Sequence, residues 1–448
     1  MIGTVAKSYV RNTRIHHTYH RCIAIHGVHY LRFMDNVCFE NLGHAVFVED
    51  AIEAKNVITG NLVIGTRPCF SCLNSDMTPA SYWLVMGDNY VERNIAAGST
   101  HEGFWFFPEA HVRGQSHWLP GSLNVCPPNT PILRFADNEA HNNMRMGFRV
   151  SSQGSTYEPR RNPCLPISED NPFQTSQLLR LYAWRNGWSG ILVGNVAAFH
   201  VIDAVVADNC WRGIEYPGTT GIAIVEGGWG SVALIRPIFV GHDLPCPACD
   251  RSHEAIYYGT DGDGKKGGFG PPGWGGGWDA FSREMRLGLA TPAVSGLYVS
   301  GAKFINYDRL SMVAVTGAIR NCQPCAYGII KANGAETRFR DTTWIQSWNR
   351  VNWRWQNEAL FTDLDGTFGD QPFCKGCSVL FNRLVTDAKA MPECYPDARY
   401  GQEVSIKHPI TLEWIMVPSG FVCKPELNFA SVSNHCELLA PPFAHRYP

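Results

Sequence analysis

Charge is scarce in this 448-residue sequence: Asp, Glu, Lys and Arg make up 17% of it, against the ~25% usual for a globular chain. The 38 Lys and Arg nearly cancel the 40 Asp and Glu, leaving a formal net charge of −2. A protein that grips a nucleic-acid backbone or an anionic membrane surface needs a basic surplus, so both partners are set aside. No run approaches the ~18 uninterrupted apolar residues of a membrane span. The opening MIGTVAKSYVRNTRIHH lacks the basic head, apolar segment and small-residue cleavage site of a signal peptide, as expected of a chain that is not secreted or of a fragment. Asn-x-Ser/Thr acceptors are missing throughout, which removes one sign of a secreted animal glycoprotein and leaves microbial or protist secretion open.

What is abundant points to an all-β, turn-rich chain: 43 Gly and 14 Trp, with little that suits long helices or disorder. Sixteen cysteines include four C-x-x-C pairs, Cys69/Cys72, Cys246/Cys249, Cys322/Cys325 and Cys374/Cys377. That usage is high for a reduced compartment, and structural disulfides at an extracellular or cell-surface location are expected. Zinc half-sites and free thiols are the alternatives, since C-x-x-C spacing also lets two thiolates share a tetrahedral ion.

A short module recurs along the chain, pairing a small residue with two apolar residues on alternate positions: HRCIAIHG, LGHAVFVED, HEGFWFF, RMGFRVS, WSGILVG and WRGIEYP. Its small positions, Cys22, Ala45, Gly103, Gly147, Gly190 and Gly213, are spaced by 23, 58, 44, 43 and 23 residues. These read as one or two steps of about 22 residues, the longest with an insertion around CFSC, which is the step of a coiled β-solenoid. Alternation points Ile23/Ile25, Val46/Val48, Phe104/Phe106, Phe148/Val150, Ile191/Val193 and Ile214/Tyr216 inward. It leaves Ala24, Phe47, Trp105, Arg149, Leu192 and Glu215 on an external face. Recurrent Asn12, Asn36, Asn94, Asn138, Asn186 and Asn209 suit turns that tolerate left-handed backbone, with amides stacked between rungs. The pattern resumes in SGLYVSGAKFINY (295–307) and YGIIKAN (327–333). The solenoid is expected over 1–385, with a glycine-rich excursion at 259–279, and 386–448 reads as a small C-terminal cap or the start of a following domain.

The stretch YVRNTRIHHTYHRCIAIHGVHYLRFMDNVCFENLGHAVFVEDAIEAKN resembles the parallel β-helix region of the cell-migration-inducing and transmembrane hyaluronidase family, to which fibrocystin-L is also related. The similarity continues through NIAAGSTHEGFWF, NEAHNNMRMG and DLDGTFGD. It implies a right-handed parallel β-helix that binds, and as an enzyme depolymerises, hyaluronan or a similar acidic polysaccharide, by glycoside hydrolysis or as a lyase. The same resemblance admits a non-catalytic surface module of the fibrocystin-L kind, or an inactive fragment of a longer chain. The resemblance implies a compact β-rich domain ahead of the helix in family members, and this sequence is read as a truncated or minimal form without it.

The densest chemistry is His44, Glu49, Asp50, Glu53 and Asn56, with His16, His17, His20 and His26 about one rung earlier. A one-rung step stacks His26 beside Glu49. Such a pairing offers an acid and a base for glycosidic cleavage, or holds a cation such as calcium against a substrate carboxylate. The dull alternative is a polar turn in which Glu49 and Asp50 cap backbone N–H groups. His101 and Glu102, with His141 in the matching turn, extend the catalytic candidates along one groove. Phe47, Trp105 and Arg149, with His141, are the substrate-binding candidates: rings stack on pyranose faces and a guanidinium pairs a uronate. DGDG at 261–264 is half a calcium loop without its downstream Glu. A monomer is expected.

Overall fold

A computed structural model of the chain describes residues 8–151 and 156–210 with no break, then a series of shorter stretches from Arg212 to Ser431. The glycine-rich 259–279 stretch, YGIIKAN, the last three C-x-x-C pairs and the boundary near 385 lie outside the described residues. Two compact units are present, residues 1–210 with 220–232, and 211–219 with 233–448.

The first unit is built from three-residue to five-residue strands that return in threes. Its first sheet stacks Tyr9–Arg11, Arg32–Met34, Val57–Thr59, Tyr90–Glu92, Arg134–Ala136, Ser176–Leu179 and Phe199–Ile202, all parallel. The second stacks Arg14–His16, Val37–Phe39, Leu62–Ile64, Ile95–Ala97, Glu139–His141, Tyr182–Trp184 and Val205–Ala207. The third stacks Ile23–Ile25, Val46–Val48, Ala80–Leu84, Glu102–Phe106, Phe148–Val150 and Ser189–Val193. Three parallel sheets of single-rung strands make this a parallel β-helix.

Alternation sorts the side chains as the sequence pattern requires. Phe33, Ile58, Val91, Phe135, Leu178 and Val201 line the first sheet's interior, and Cys38, Val63, Ala96, Ala140, Ala183 and Val206 the second's. The third contributes Val46, Tyr82, Phe104, Phe148 and Ile191, all buried. Each large apolar side chain taken from water is worth ~1.5–3 kcal/mol, and it stacks on its equivalent one rung away, so no strand is stable without its neighbours.

The turns explain the recurrent Asn. Asn36, Asn61, Asn94 and Asn138 form one ladder, in which each of the last three accepts at Oδ1 from the backbone N–H and side-chain amide of the Asn before it. Asn143, Asn186 and Asn209 form a second at the next corner. The left-handed residue is the one ahead of the ladder Asn, as at Asp35, Arg93, Asp137, Asn142, Arg185 and Asp208. Asn12 is itself left-handed, and Thr13 behind it meets Asn36.

Ladder steps of 23, 25, 33 and 44 residues along the first ladder, and 43 and 23 along the second, give the rung lengths. The 44- and 43-residue spacings are therefore single rungs carrying excursions, at 107–133 and 151–175, rather than two short rungs. The insertion around CFSC lengthens one rung between Leu62–Ile64 and Ala80–Leu84. Disulfides Cys22–Cys38, Cys69–Cys72 and Cys126–Cys164 respectively pin the first two rungs, close the CFSC insertion and join the two long excursions.

In the second unit Leu297–Ser300 and Lys303–Ile305, from the resumed pattern, pair in parallel with Glu336–Arg340 and Thr343–Ile345. Phe304 stacks on Trp344 at 4.6 Å. From Leu360–Asp363 onward the pairing with Ser378–Phe381 is antiparallel. Among the described residues no helix is long and apolar enough to cross a membrane.

Candidate functional site

The corner that follows the third sheet carries the densest chemistry. Ile25 pairs with Val48, so the residues leaving those strands, His26 and Glu49, are neighbours one rung apart. His26 Nε2 lies 3.1 Å from Glu49 Oε2, and its Nδ1 lies 3.2 Å from Asp50 Oδ1. The imidazole side chain is 51% exposed and that of Glu49 29%, whereas Asp50 is buried. Burial pushes the Glu49 carboxyl above its ordinary range; His26 and the nearby Arg21 pull against that shift. The corner thus presents to solvent an imidazole oriented by one carboxylate and touching a second that holds its proton to higher pH.

Glu53 has a different task. Its Oε1 accepts from the backbone N–H of Gly27 and of Asp50, both at 2.9 Å, and Oε2 accepts from that of Ile52. Fully buried, it locks the turn that presents Glu49 and Asp50, so the backbone capping expected of those two carboxylates is made by Glu53, itself a catalytic candidate in the sequence. Burial raises its carboxyl, opposed by those N–H bonds. Asn56 extends a turn ladder between Leu31 and Asn89.

A segment from a later rung completes the corner. The first long excursion folds back so that Ser116 donates from Oγ to Asp50 Oδ2 at 2.6 Å, and the Arg113 N–H donates to the Asp50 carbonyl at 2.8 Å. Ser116 lies in the short 3-10 turn Gly114–Trp118. Gly114 is left-handed, and a Cβ there would sit 2.5 Å from Asp50 Oδ1, so both conformation and space require glycine. Trp118, at the end of the turn, is 80% exposed. Neither residue carries a sequence signal linking it to Asp50, because the excursion has no period.

The external column is closed, not open. Phe47, Trp83, Trp105, Arg149 and Leu192 stand in register across the third sheet, but Phe47 is 3% exposed and Trp105 8%. The register itself explains this: Trp83 meets Trp105 edge-on at 4.9 Å, Arg21 lies 3.7 Å over the Phe47 ring, and Arg149 lies 4.1 Å over Trp105. Phe47, Trp105 and Arg149 are thus not a solvent-facing sugar platform. Phe47 remains close to the corner, its ring 6.4 Å from that of His26.

Beneath this column lies a buried polar row. His44 accepts at Nδ1 from the Ala80 N–H (3.0 Å), which places the proton of the neutral ring on Nε2. Burial drives its pKa down to about 3, against the pull of Asp76. Asp76 binds Arg21 through both oxygens and accepts from the His44 N–H. Glu102 is buried with Oε1 on Arg149 Nη1 at 3.1 Å; burial raises its carboxyl, while Arg145 and Arg149 lower it. His101 is held well below the usual imidazole range, first by burial and then by Arg145. His44 and Glu102 therefore belong to the packing of this face, out of reach of a ligand in solvent. His141 does not sit in the turn matching His101: that place is taken by Arg145, whose N–H bonds the His101 carbonyl. His141 lies on the second sheet, stacked on Trp184 at 4.4 Å.

Among the described residues one group could gather a metal ion, His20, Cys72 and Asp76. Cys72 is bonded to Cys69 and the Asp76 carboxylate is already held by Arg21, so the donors present do not form a calcium cage of free oxygens. DGDG lies outside the described residues.

Residues 1–148 match the family model described as CEMIP beta-helix. Human fibrocystin-L is 28% identical over 428 residues, covering 94% of this chain and 8% of that protein. Human cell surface hyaluronidase CEMIP2 is 28% identical over 226 residues, covering 42% of this chain and 16% of that protein. Mouse cell migration-inducing and hyaluronan-binding protein is 30% identical over 177 residues, 34% of this chain and 13% of that protein. The chain thus spans less than a fifth of the length of each of these three relatives. Over residues 1–148 the chain thus resembles the CEMIP beta-helix, and it is similar, at modest identity, to proteins named as a cell surface hyaluronidase and as fibrocystin-L.

Proposed function

We propose that the first unit binds an acidic polysaccharide of the hyaluronan type, outside the cell or at its surface, and cleaves it at the His26–Glu49–Asp50 corner. The observation that carries this is His26 standing between Glu49 and Asp50, at 3.1 and 3.2 Å, with its ring half open to solvent. In this reading Asp50 fixes the imidazole through Nδ1, so Nε2 faces the reacting groups. Glu49 delivers its proton to the leaving glycosidic oxygen. His26 takes a proton in return, from water in hydrolysis or from the uronate carbon in elimination. The relatives named as hyaluronidases and as a hyaluronan-binding protein support the choice of glycan.

Purified protein incubated with high-molecular-weight hyaluronan should shorten the chains, and H26N or E49Q should not. New absorbance near the ultraviolet band of unsaturated uronate would assign elimination; its absence with shortened chains would assign hydrolysis. Unchanged chain length with the wild-type protein would refute cleavage.

A second reading, a non-catalytic surface module, is favoured by one observation: the similarity to fibrocystin-L spans 94% of the chain, against 42% for the CEMIP2 hyaluronidase. Under that reading E49Q and D50N bind glycan as the wild type does and no turnover is lost, since there is none.

A further inference from the structure

We propose that Trp118 is the sugar-stacking platform of the His26–Glu49–Asp50 corner, and that the Gly114–Trp118 turn seats a uronate-bearing pyranose beside the acid pair. This rests on the reading of that corner as a glycan site. Trp118 belongs to the same 3-10 turn as Ser116, whose hydroxyl is bonded to Asp50 at 2.6 Å, and Asp50 in turn touches His26. The turn that carries it is therefore tied to the corner through a short run of contacts, although it comes from a segment more than sixty residues downstream.

The turn is placed firmly. The Asp50 carbonyl accepts from the Arg113 N–H, and Gly114 packs on the Asp50 carboxylate where no side chain fits. Ser122 Oγ bonds the His117 carbonyl at 2.7 Å, bracing the turn from behind. Trp118 meets His117 edge-on at 5.0 Å and is otherwise open to solvent. A large indole standing in water on a firmly placed turn has no packing reason to be there, while a pyranose offers an apolar C–H face of matching size.

Arg113 supplies the other half of the recognition. Its side chain is more than half exposed and its Nε is held by Glu109 at 2.8 Å, which steadies the guanidinium at the start of the same turn. An aromatic face and a cation on one turn match a polymer in which apolar sugar faces and carboxylates alternate.

The test is calorimetric titration with hyaluronan decasaccharide, using E49Q as background so that cleavage does not interfere, and neutral N-acetylglucosamine oligosaccharides as a second probe. W118A should weaken hyaluronan binding by about tenfold, W118F should restore part of the loss, and the thermal midpoint should not move. F70A, which removes an exposed ring from the CFSC insertion, should bind as the parent does. The neutral oligosaccharide should bind more weakly than hyaluronan. If the parent binds hyaluronan and W118A binds it equally well, the platform is refuted while the corner stands, and the exposed ring passes to a protein partner. If the parent binds no hyaluronan, both fall together.

Discussion

Ser116 and Asp50, 66 residues apart in sequence, share a 2.6 Å hydrogen bond on the buried side of the corner, while the other oxygen of Asp50 holds His26. One carboxylate thereby fixes both an imidazole and a loop. S116A should leave Asp50 short of a partner and cost about 1–3 kcal/mol in urea unfolding. It should also loosen the turn, so that trypsin cuts after Arg113 faster than in the wild-type protein, with the Cys126–Cys164 bridge intact.

Glu49 and Glu53 are four residues apart and should answer mutation in opposite ways. E49Q keeps the shape of a half-exposed side chain and should lower hyaluronan turnover by about 100-fold or more, with little change in thermal midpoint. E53A strips the partners from three backbone N–H groups, so it should destabilise the unit by about 2 kcal/mol or more. Chain sizing and thermal unfolding of the two variants side by side would separate the roles; loss of stability in E49Q would count against a chemical one.

His44 makes stability pH-dependent. The folded chain holds its pKa at about 3, against 6.5 for the free side chain. Below pH 6.5 the unfolded chain takes up a proton that the folded chain refuses, so this contribution is complete above 6.5 and is lost progressively as pH falls toward 3. Between pH 6.5 and 5 the loss is about 2 kcal/mol. The raised carboxyls of Glu53 and Glu102 act in the other direction, because there the folded chain protonates first. The readout is therefore the difference between wild type and H44N in urea unfolding across that range. A difference that does not change with pH would show that His44 is not held neutral.

Glu102 and Arg149 form a buried pair in which Glu102 Oε2 has no hydrogen-bond partner among the described residues. R149L should cost about 3 kcal/mol by removing the hydrogen-bonded partner of a buried carboxylate, with Arg145 left as its remaining cation, while E102L/R149L should recover most of that loss. A double-mutant cycle by chemical unfolding measures it; additive losses would mean that the two side chains act independently.

Much of the coil is legible in the sequence because its signal is local and repeated. The step from Ile25 to Val48 is one rung with nothing inserted, so simple counting stacks His26 on Glu49. Counting fails where a rung carries an excursion: Gly103 and Gly147 are 44 residues apart yet one rung, since length alone does not distinguish a loop from a turn of coil. Alternation assigns Trp105 and Arg149 to the outer side of the wall, but not what lies on that side, and their stacking on Trp83 and Glu102 depends on neighbours from other rungs. Trp118 is silent in sequence for the same reason. Its importance comes from where the excursion lands.

The two long excursions leave the coil at one corner and rejoin it in register, with Phe104 still opposite Phe148 and Phe148 opposite Ile191. The wall thus does not sense how many residues leave and return between rungs, and closing a longer loop costs entropy that grows only slowly with its length. Core and surface are therefore separately editable along this chain. Lengthening, shortening or exchanging the Trp118-bearing segment would redesign what the corner grips while the interior stacks go on repeating beneath it.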